Sequence, residues 1–209
     1  MRRDLAPARL LYRVLERTLL PWLEKSGVSP DGLTVTGVVI SGLAGLSFLY
    51  SPLLAGCLAL LGGLCDALDG FLARATGRTG PRGAFVDSVL DRYAEVFLFL
   101  GAWAYLGRHP HLAMPGAAAA LAAVFGANMV SYTRARGEGL GVCFQNGLFT
   151  RDERLLILAA GALADPLSPG YVVLASLGLV ALGANLSALY RYWKIKNLLS
   201  PTETDRPQD

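Results

Sequence analysis

The chain has 209 residues, of which 53% are hydrophobic and 17% are charged, and its formal net charge is +3. Soluble domains average about 25% charged residues, so this composition argues against a soluble protein. The small net charge also argues against a nucleic-acid-binding surface, which needs a strongly basic face. The length suits one domain in a membrane.

The N-terminal segment, about residues 5–25, predicts an amphipathic helix on the membrane surface. Apolar residues recur there near helical spacing, and arginines and glutamates fill most other positions. A helix with this pattern lies in the interface with its apolar face in lipid. The sequence Ser29-Pro30-Asp31 then interrupts the helix, and we take Asp31 as the N-cap of the next one.

Six apolar stretches follow, and we predict that each crosses the bilayer, whose core needs about 20 residues. They lie near 32–50, 53–74, 83–107, 112–134, 150–165 and 169–193. Thr150 and Glu153 predict a capping box at the start of the fifth stretch. The expected fold is all-α and integral to the membrane, with one domain over 1–199 and a polar tail over 200–209.

The distribution of arginine and lysine predicts the orientation of these spans. The N-terminal segment, the loops after the second and fourth spans, and the C-terminal end carry nearly all of them, whereas Arg108 stands alone on the other side. Positive residues accumulate on the cytoplasmic side of membrane proteins. We therefore expect a multi-pass protein of the cell membrane with both termini and the two longer loops in the cytoplasm.

Four aspartates around a short loop form the most informative feature. Asp66 and Asp69 are three positions apart in the second span, and Asp87 and Asp91 are four apart in the third. Each pair shares a helix face, and the loop 75–82 predicts a hairpin that brings the pairs together. A charged aspartate costs about 2.5–3.5 kcal/mol at mid-membrane. Hard divalent ions such as Mg²⁺, Mn²⁺ or Ca²⁺ would offset this cost and the mutual repulsion.

Two other interpretations of the acidic cluster are open. A salt-bridge network with Arg74, Arg92 and their neighbours would leave the acids in excess. An ion-coupled transporter also clusters acids inside a membrane, but it more often has internal repeats or acids on several spans. The four acids here lie in one hairpin, which favours a metal-dependent enzyme.

The order and spacing of these residues resemble the signature of the CDP-alcohol phosphatidyltransferase family. The signature is D-x-x-D-G-x-x-A-R, eight residues, then G-x-x-x-D-x-x-x-D, and residues 66–91 match every fixed position. The resemblance implies transfer of a phosphatidyl group from CDP-diacylglycerol, or an ether-lipid analogue, to a hydroxyl acceptor, with release of CMP. It also implies two bound ions, Mg²⁺ or Mn²⁺, and a homodimer.

The same resemblance implies roles for single residues. The metal ligands would be Asp66, Asp69, Asp87 and Asp91. Asp91 would also be the catalytic base that takes the proton from the acceptor hydroxyl. The residues that bind the donor would be Gly70, Ala73, Arg74 and Gly83. Small residues on membrane helices also serve helix packing, so packing is the alternative for each glycine.

A second basic cluster bears on the acceptor. The patterns S-Y-x-[basic]-A-R after residue 130 and E-R at 153–154 resemble the branch of the family that transfers to inositol phosphate. That resemblance implies four acceptor-binding residues, which are Ser131, Arg134, Arg154 and Arg191. Arginines suit a phosphate on the acceptor, although the positive-inside rule alone also places arginines here. The branch is associated with lysine at the position of Arg134, so the charge is kept and the geometry differs.

Two other acceptors stay open, glycerol phosphate and serine, which would make the chain a phosphatidylglycerophosphate or phosphatidylserine synthase. The segment Ser29–Thr34 is similar to the inositol phosphate branch and to aminoalcohol transferases. Glycerophosphate transferases tend to carry an arginine shortly after this threonine, where the present chain has Val35-Thr36-Gly37. This difference favours inositol phosphate.

Overall fold

The computed structural model describes Pro21, Leu23, residues 26–144 and residues 147–199. Within these residues the fold is all-helical, as predicted, and contains no strand. The helices are α1 (Pro30–Ser47), α2 (Pro52–Ala75), α3 (Pro81–Leu106), α4 (Pro110–Glu138), α5 (Arg151–Ala164) and α6 (Tyr171–Leu198), with a 3₁₀ turn (Asp165–Leu167) after α5. The predicted polar tail and almost all of the predicted amphipathic helix lie outside the described residues.

Proline and capping side chains decide where the helices begin. Helices α1 to α4 each start with a proline, which suits the first helical position because no N–H is left unpaired there. The prediction that Asp31 caps α1 is wrong. Ser29 is the N-cap, and its hydroxyl accepts from the Gly32 N–H at 3.1 Å. The predicted capping box at Thr150 and Glu153 is confirmed, with both hydrogen bonds present.

Three of the six helices, α2, α4 and α6, are long and apolar enough to cross a membrane. Helix α5 has 14 residues, about 21 Å at 1.5 Å per residue, which is shorter than a hydrocarbon core of about 30 Å. The first half of α3 carries several charged residues. The structure therefore supports three of the six predicted spans by length and composition, and spanning by the other three helices stays a prediction.

Helix α1 packs against both α2 and α3, whereas α2 and α3 make few direct contacts with each other. The packing of α1 on α3 depends on glycine. A Cβ on Gly101 would lie 2.2 Å from the Gly45 carbonyl oxygen, and a Cβ on Gly45 would lie 2.4 Å from the Phe97 carbonyl oxygen. Small residues allow helix backbones to approach this closely. Helix α1 thus sets the spacing of the two helices that carry the aspartates.

Candidate active site

Three of the four motif aspartates meet at the hairpin between α2 and α3. The carboxylate oxygens of Asp66, Asp69 and Asp87 lie within 4.8 Å of one another. Gly77 allows the chain to reverse between the two helices, since its φ is +66°, a value that favours glycine. This arrangement confirms the predicted hairpin. The hairpin brings the Asp66 and Asp69 pair of α2 together with Asp87 of α3.

The aspartate triad (Asp66, Asp69 and Asp87) has the features of a divalent metal site. Oδ1 of Asp87 is buried and has no hydrogen-bond partner among the described residues. Oδ2 of Asp69 accepts a hydrogen bond of 2.6 Å from the Thr34 hydroxyl, which fixes the orientation of that carboxylate as outer partners of metal ligands do. An all-oxygen donor set suits hard ions such as Mg²⁺ and Mn²⁺.

Asp91 lies beside the triad and is held by arginines. Nη1 of Arg151 lies 2.7 Å from Asp91 Oδ1 and 2.7 Å from Asp66 Oδ1, and Nη1 of Arg92 lies 3.6 Å from Asp91 Oδ2. The salt-bridge network considered from the sequence is therefore present in part. Arg74 forms no ion pair with a described residue and lies over the Phe71 ring. The metal-ligand role of Asp91 stays a prediction.

All four predicted donor-binding residues line one small cavity between α1, α2 and α3, which we call the hairpin cavity. Its volume is about 180 Å³, and its lining includes Gly70, Ala73, Arg74, Gly83, Asp69 and Asp87. A Cβ on Gly83 would meet no described residue within 4 Å. Helix packing therefore does not explain Gly83, and the absence of its side chain leaves the mouth of the cavity open.

A larger cavity of about 740 Å³, which we call the arginine cavity, opens on the other side of the triad between α3, α4, α5 and α6. It contains all four predicted acceptor-binding residues, Ser131, Arg134, Arg154 and Arg191, together with Arg92, Arg151, Asp66 and Asp91. Asp87 lines both cavities. The aspartate triad thus lies between the hairpin cavity and the arginine cavity.

The arginine cavity presents buried N–H groups that are not hydrogen-bonded. They are Nε and Nη1 of Arg92, Nε of Arg151 and Nε of Arg191, which have no hydrogen-bond partner among the described residues. Leaving a buried donor unpaired costs about 1–3 kcal/mol, and more for a charged group. A phosphate or carboxylate in this cavity would pair with such donors.

The four predicted acceptor residues are held to different degrees. Arg191 is buried and donates to the Val130 carbonyl at 2.7 Å. Arg154 is also buried, and its Nε and Nη2 donate to the two carboxylate oxygens of Glu95 at 2.7 and 3.0 Å. This bidentate pair joins α5 to α3. Arg134 is more exposed and pairs with Glu138 on its own helix at 2.9 Å. The Ser131 hydroxyl donates to the Ala127 carbonyl.

Sequence reasoning did not assign four residues that the structure places in or beside the site, which are Thr34, Arg92, Glu95 and Arg151. Glu95 follows Asp91 by one helical turn, so its position on the same face was readable from spacing. Arg151 follows the capping residue Thr150, which directs it to the first turn of α5. Nothing in the spacing links Thr34 to Asp69, because the two residues are 35 positions apart.

Comparison with known proteins agrees with the geometry. The sequence model of the family described as CDP-alcohol phosphatidyltransferase matches residues 28–139. An archaetidylinositol phosphate synthase from Methanothermobacter thermautotrophicus is 33% identical over 172 residues, which cover 81% of this chain and 85% of that protein. A phosphatidylinositol phosphate synthase from Mycobacteroides abscessus is 32% identical over 193 residues, which cover 87% of this chain and 86% of the relative.

Solved structures of a relative show the same fold. The Mycobacterium tuberculosis phosphatidylinositol phosphate synthase with CDP-DAG bound aligns with a TM-score of 0.77 and 25% identity, over 90% of this chain and 96% of that chain. The same enzyme in complex with manganese and citrate aligns with a TM-score of 0.74 and 25% identity, over 90% and 91% of the two chains. The matched signature, the family model and these relatives establish that the chain is a membrane enzyme that belongs to the CDP-alcohol phosphatidyltransferase family.

Proposed function

We propose that the chain transfers a phosphatidyl group from CDP-diacylglycerol, or an ether-lipid analogue, to inositol phosphate and releases CMP, as a step in phospholipid biosynthesis. The observation that carries the choice of a phosphate-bearing acceptor is the set of N–H groups of Arg92, Arg151 and Arg191 that have no hydrogen-bond partner among the described residues in the arginine cavity. An acceptor with its own phosphate would satisfy them, whereas serine brings only a carboxylate beside an ammonium. Relatives named archaetidylinositol phosphate and phosphatidylinositol phosphate synthase support this choice.

The hairpin cavity is the proposed site of the CDP group of the donor. Gly70, Ala73 and Gly83 leave room beside the helix backbones, and Arg74 supplies a cation for a donor phosphate. The cavity volume of about 180 Å³ is small, so we expect only the nucleotide part to enter and the lipid tails to extend into the membrane. The M. tuberculosis relative with CDP-DAG bound supports a donor of this class.

Two divalent ions, Mg²⁺ or Mn²⁺, are proposed at the aspartate triad, with Asp91 as a further ligand. The all-oxygen triad and the unpaired Oδ1 of Asp87 fit such ions, and the manganese complex of the relative supports them. When bound, ions at this place would neutralise the donor pyrophosphate and the departing CMP. Arg151 offsets part of the negative charge that remains on Asp66 and Asp91.

The proposed reaction uses the junction of the two cavities. The arginine cavity holds the phosphate of the acceptor and directs a ring hydroxyl towards Asp91. The Asp91 carboxylate takes the hydroxyl proton, the hydroxyl oxygen bonds to the β-phosphorus of the donor, and the bond from that phosphorus to the oxygen of CMP breaks. Arg92 and Arg151 hold Asp91 in place for this proton transfer.

The proposed cellular setting is a cell membrane with the active site facing the cytoplasm. The two basic loops and the ends of α2, α4 and α6 that carry the site lie on the side that the positive-inside rule assigns to the cytoplasm. We also propose a homodimer, as the family resemblance implies. Cross-linking in native membranes would test the dimer independently of activity.

The acceptor assignment is tested by CMP release from purified protein with CDP-diacylglycerol and Mg²⁺. Inositol phosphate, inositol, glycerol phosphate and serine would be supplied separately, with Asp91→Asn run alongside. We expect release with inositol phosphate alone and none in the variant. Release with glycerol phosphate or serine instead would contradict the acceptor and keep the family chemistry. No metal-dependent release with any acceptor from folded protein would leave an ion-transporting role for the acids.

A further inference from the structure

A third cavity lies against the C-terminal ends of α4 and α6, on the opposite face of these helices from the arginine cavity. It is a groove of about 610 Å³ between the C-terminal ends of α4 and α6, which we call the rear groove, and its lining is mostly apolar. Its residues interleave along the two helices with those of the arginine cavity. Tyr132, Thr133 and Arg136 face the rear groove, whereas Ser131, Arg134 and Ala135 face the arginine cavity. The two spaces share no lining residue.

The floor of the rear groove depends on a glycine. Gly137 and Ile195 are buried members of the lining. A Cβ on Gly137 would lie 2.8 Å from Cδ1 of Ile195, so the missing side chain lets α4 and α6 pack closely beneath the groove. Tyr132 and Tyr192 stand on the two sides, 61% and 56% exposed. Tyrosines in such positions mark the level of lipid headgroups.

Two cations complete the lining of the rear groove. Arg136 and Lys196 are exposed, one on each helix. Arg136 forms no ion pair with any described residue. An apolar groove between membrane-crossing helices suits an acyl chain, and cations at the headgroup level attract anionic lipid, with about 1 kcal/mol per charge. Both features point to one occupant.

We propose that the rear groove binds an anionic phospholipid, with one acyl chain along the apolar lining and the phosphate between Arg136 and Lys196. The site is separate from the donor and acceptor cavities, so the lipid is neither substrate in transit nor the acceptor. A lipid bound in the rear groove would stabilise the C-terminal ends of α4 and α6, whose opposite face carries Ser131, Arg134 and Arg191.

Native mass spectrometry of delipidated protein in detergent tests the proposal without using catalysis. Dioleoylphosphatidylglycerol and dioleoylphosphatidylcholine, which have the same chains, would be titrated separately. We expect preferential retention of one phosphatidylglycerol per chain. The double variant Arg136→Gln/Lys196→Gln should weaken this binding about thirtyfold, since each lost charge contributes about 1 kcal/mol. Lys194→Gln removes a neighbouring cation outside the groove lining and should leave binding unchanged.

Four results would overturn the proposal. Equal binding of the two lipids would mean that the cations do not select the headgroup. Unchanged binding by the double variant would mean that the lipid binds outside the rear groove. Inorganic phosphate that displaces phosphatidylglycerol at equal concentration would show that the acyl chain contributes nothing. If Tyr132→Cys formed a disulfide between two copies and the cross-linked protein bound no lipid, the rear groove would be an interface between two copies of the chain. Because no substrate is present, these outcomes are independent of the acceptor assignment.

Discussion

The hairpin cavity and the arginine cavity meet at Asp87 but are assembled differently. The hairpin cavity is lined by residues 30–87 of three consecutive helices, and its chemistry follows a fixed motif spacing. The arginine cavity draws on residues from 66 to 191 and on five helices, and its arginines come from α3, α4, α5 and α6 with no common motif spacing. The proposed donor and metal sites are thus built into one local unit, while the proposed acceptor site depends on how distant helices pack.

The largest expected effect tests the shared centre. Asp87→Asn should lower CMP release more than about 100-fold with every acceptor, because outer-sphere changes alone cost 10–100-fold at metal sites. Mn²⁺ affinity, measured by titration calorimetry, should fall as well. Arg108→Gln, a charge removal at the opposite end of the molecule, is the control. Unchanged Mn²⁺ binding in folded Asp87→Asn protein would contradict the metal assignment.

A smaller loss of Mn²⁺ affinity is expected for Thr34, which contacts a proposed metal ligand and not the metal itself. Thr34→Val removes the hydroxyl that donates to Asp69 Oδ2, and we expect Mn²⁺ affinity to fall about 10–100-fold. Thr36→Val is a matched control on the same helix, since the Thr36 hydroxyl donates to the Gly32 carbonyl and to no other described residue. Equal behaviour of the two variants would mean that Thr34 does not orient the ligand.

Substitutions in the arginine cavity should affect the KM of the acceptor and not that of the donor. Arg134→Gln should raise the KM for inositol phosphate about tenfold, since hydrogen bonds to charged groups contribute about 1.5–3 kcal/mol, and leave the KM for the CDP-lipid unchanged. Arg74→Gln in the hairpin cavity should do the reverse. Steady-state CMP release with each substrate varied in turn measures both. If both variants raised the same KM, the division of the two cavities between donor and acceptor would be wrong.

The smallest effect concerns the mouth of the hairpin cavity. Gly83→Ala adds a methyl group where no described residue lies within 4 Å, so the thermal unfolding temperature should not fall. The KM for the CDP-lipid should rise about fivefold, since a misplaced methyl group costs at least about 1 kcal/mol. Gly178→Ala, which also has open space around its Cβ, should leave the KM unchanged and should not lower the unfolding temperature either. A loss of stability in Gly83→Ala would return Gly83 to the packing interpretation.

The fold and the site were predictable to different extents. Apolar stretches of spanning length, prolines and caps located all six helices to within five residues, and the aspartate spacing predicted the cluster. The N-cap of α1 was misplaced by two residues, because serine and aspartate both suit that position. The convergence of Arg134, Arg154 and Arg191 was suggested by resemblance, but Arg151 and Glu95 were not assigned.

The sequence by itself determined which helices form and which aspartates share a face, because helix period, capping and proline geometry are local properties. Tertiary structure alone decided that Thr34 holds Asp69, that Arg151 bridges Asp66 and Asp91, and that Arg154 is bound to Glu95. These contacts join residues from different helices, and their geometry depends on glycine-mediated backbone approaches such as that of Gly45 and Gly101. No local pattern encodes how helices are placed against each other, since placement depends on the packing of the whole bundle.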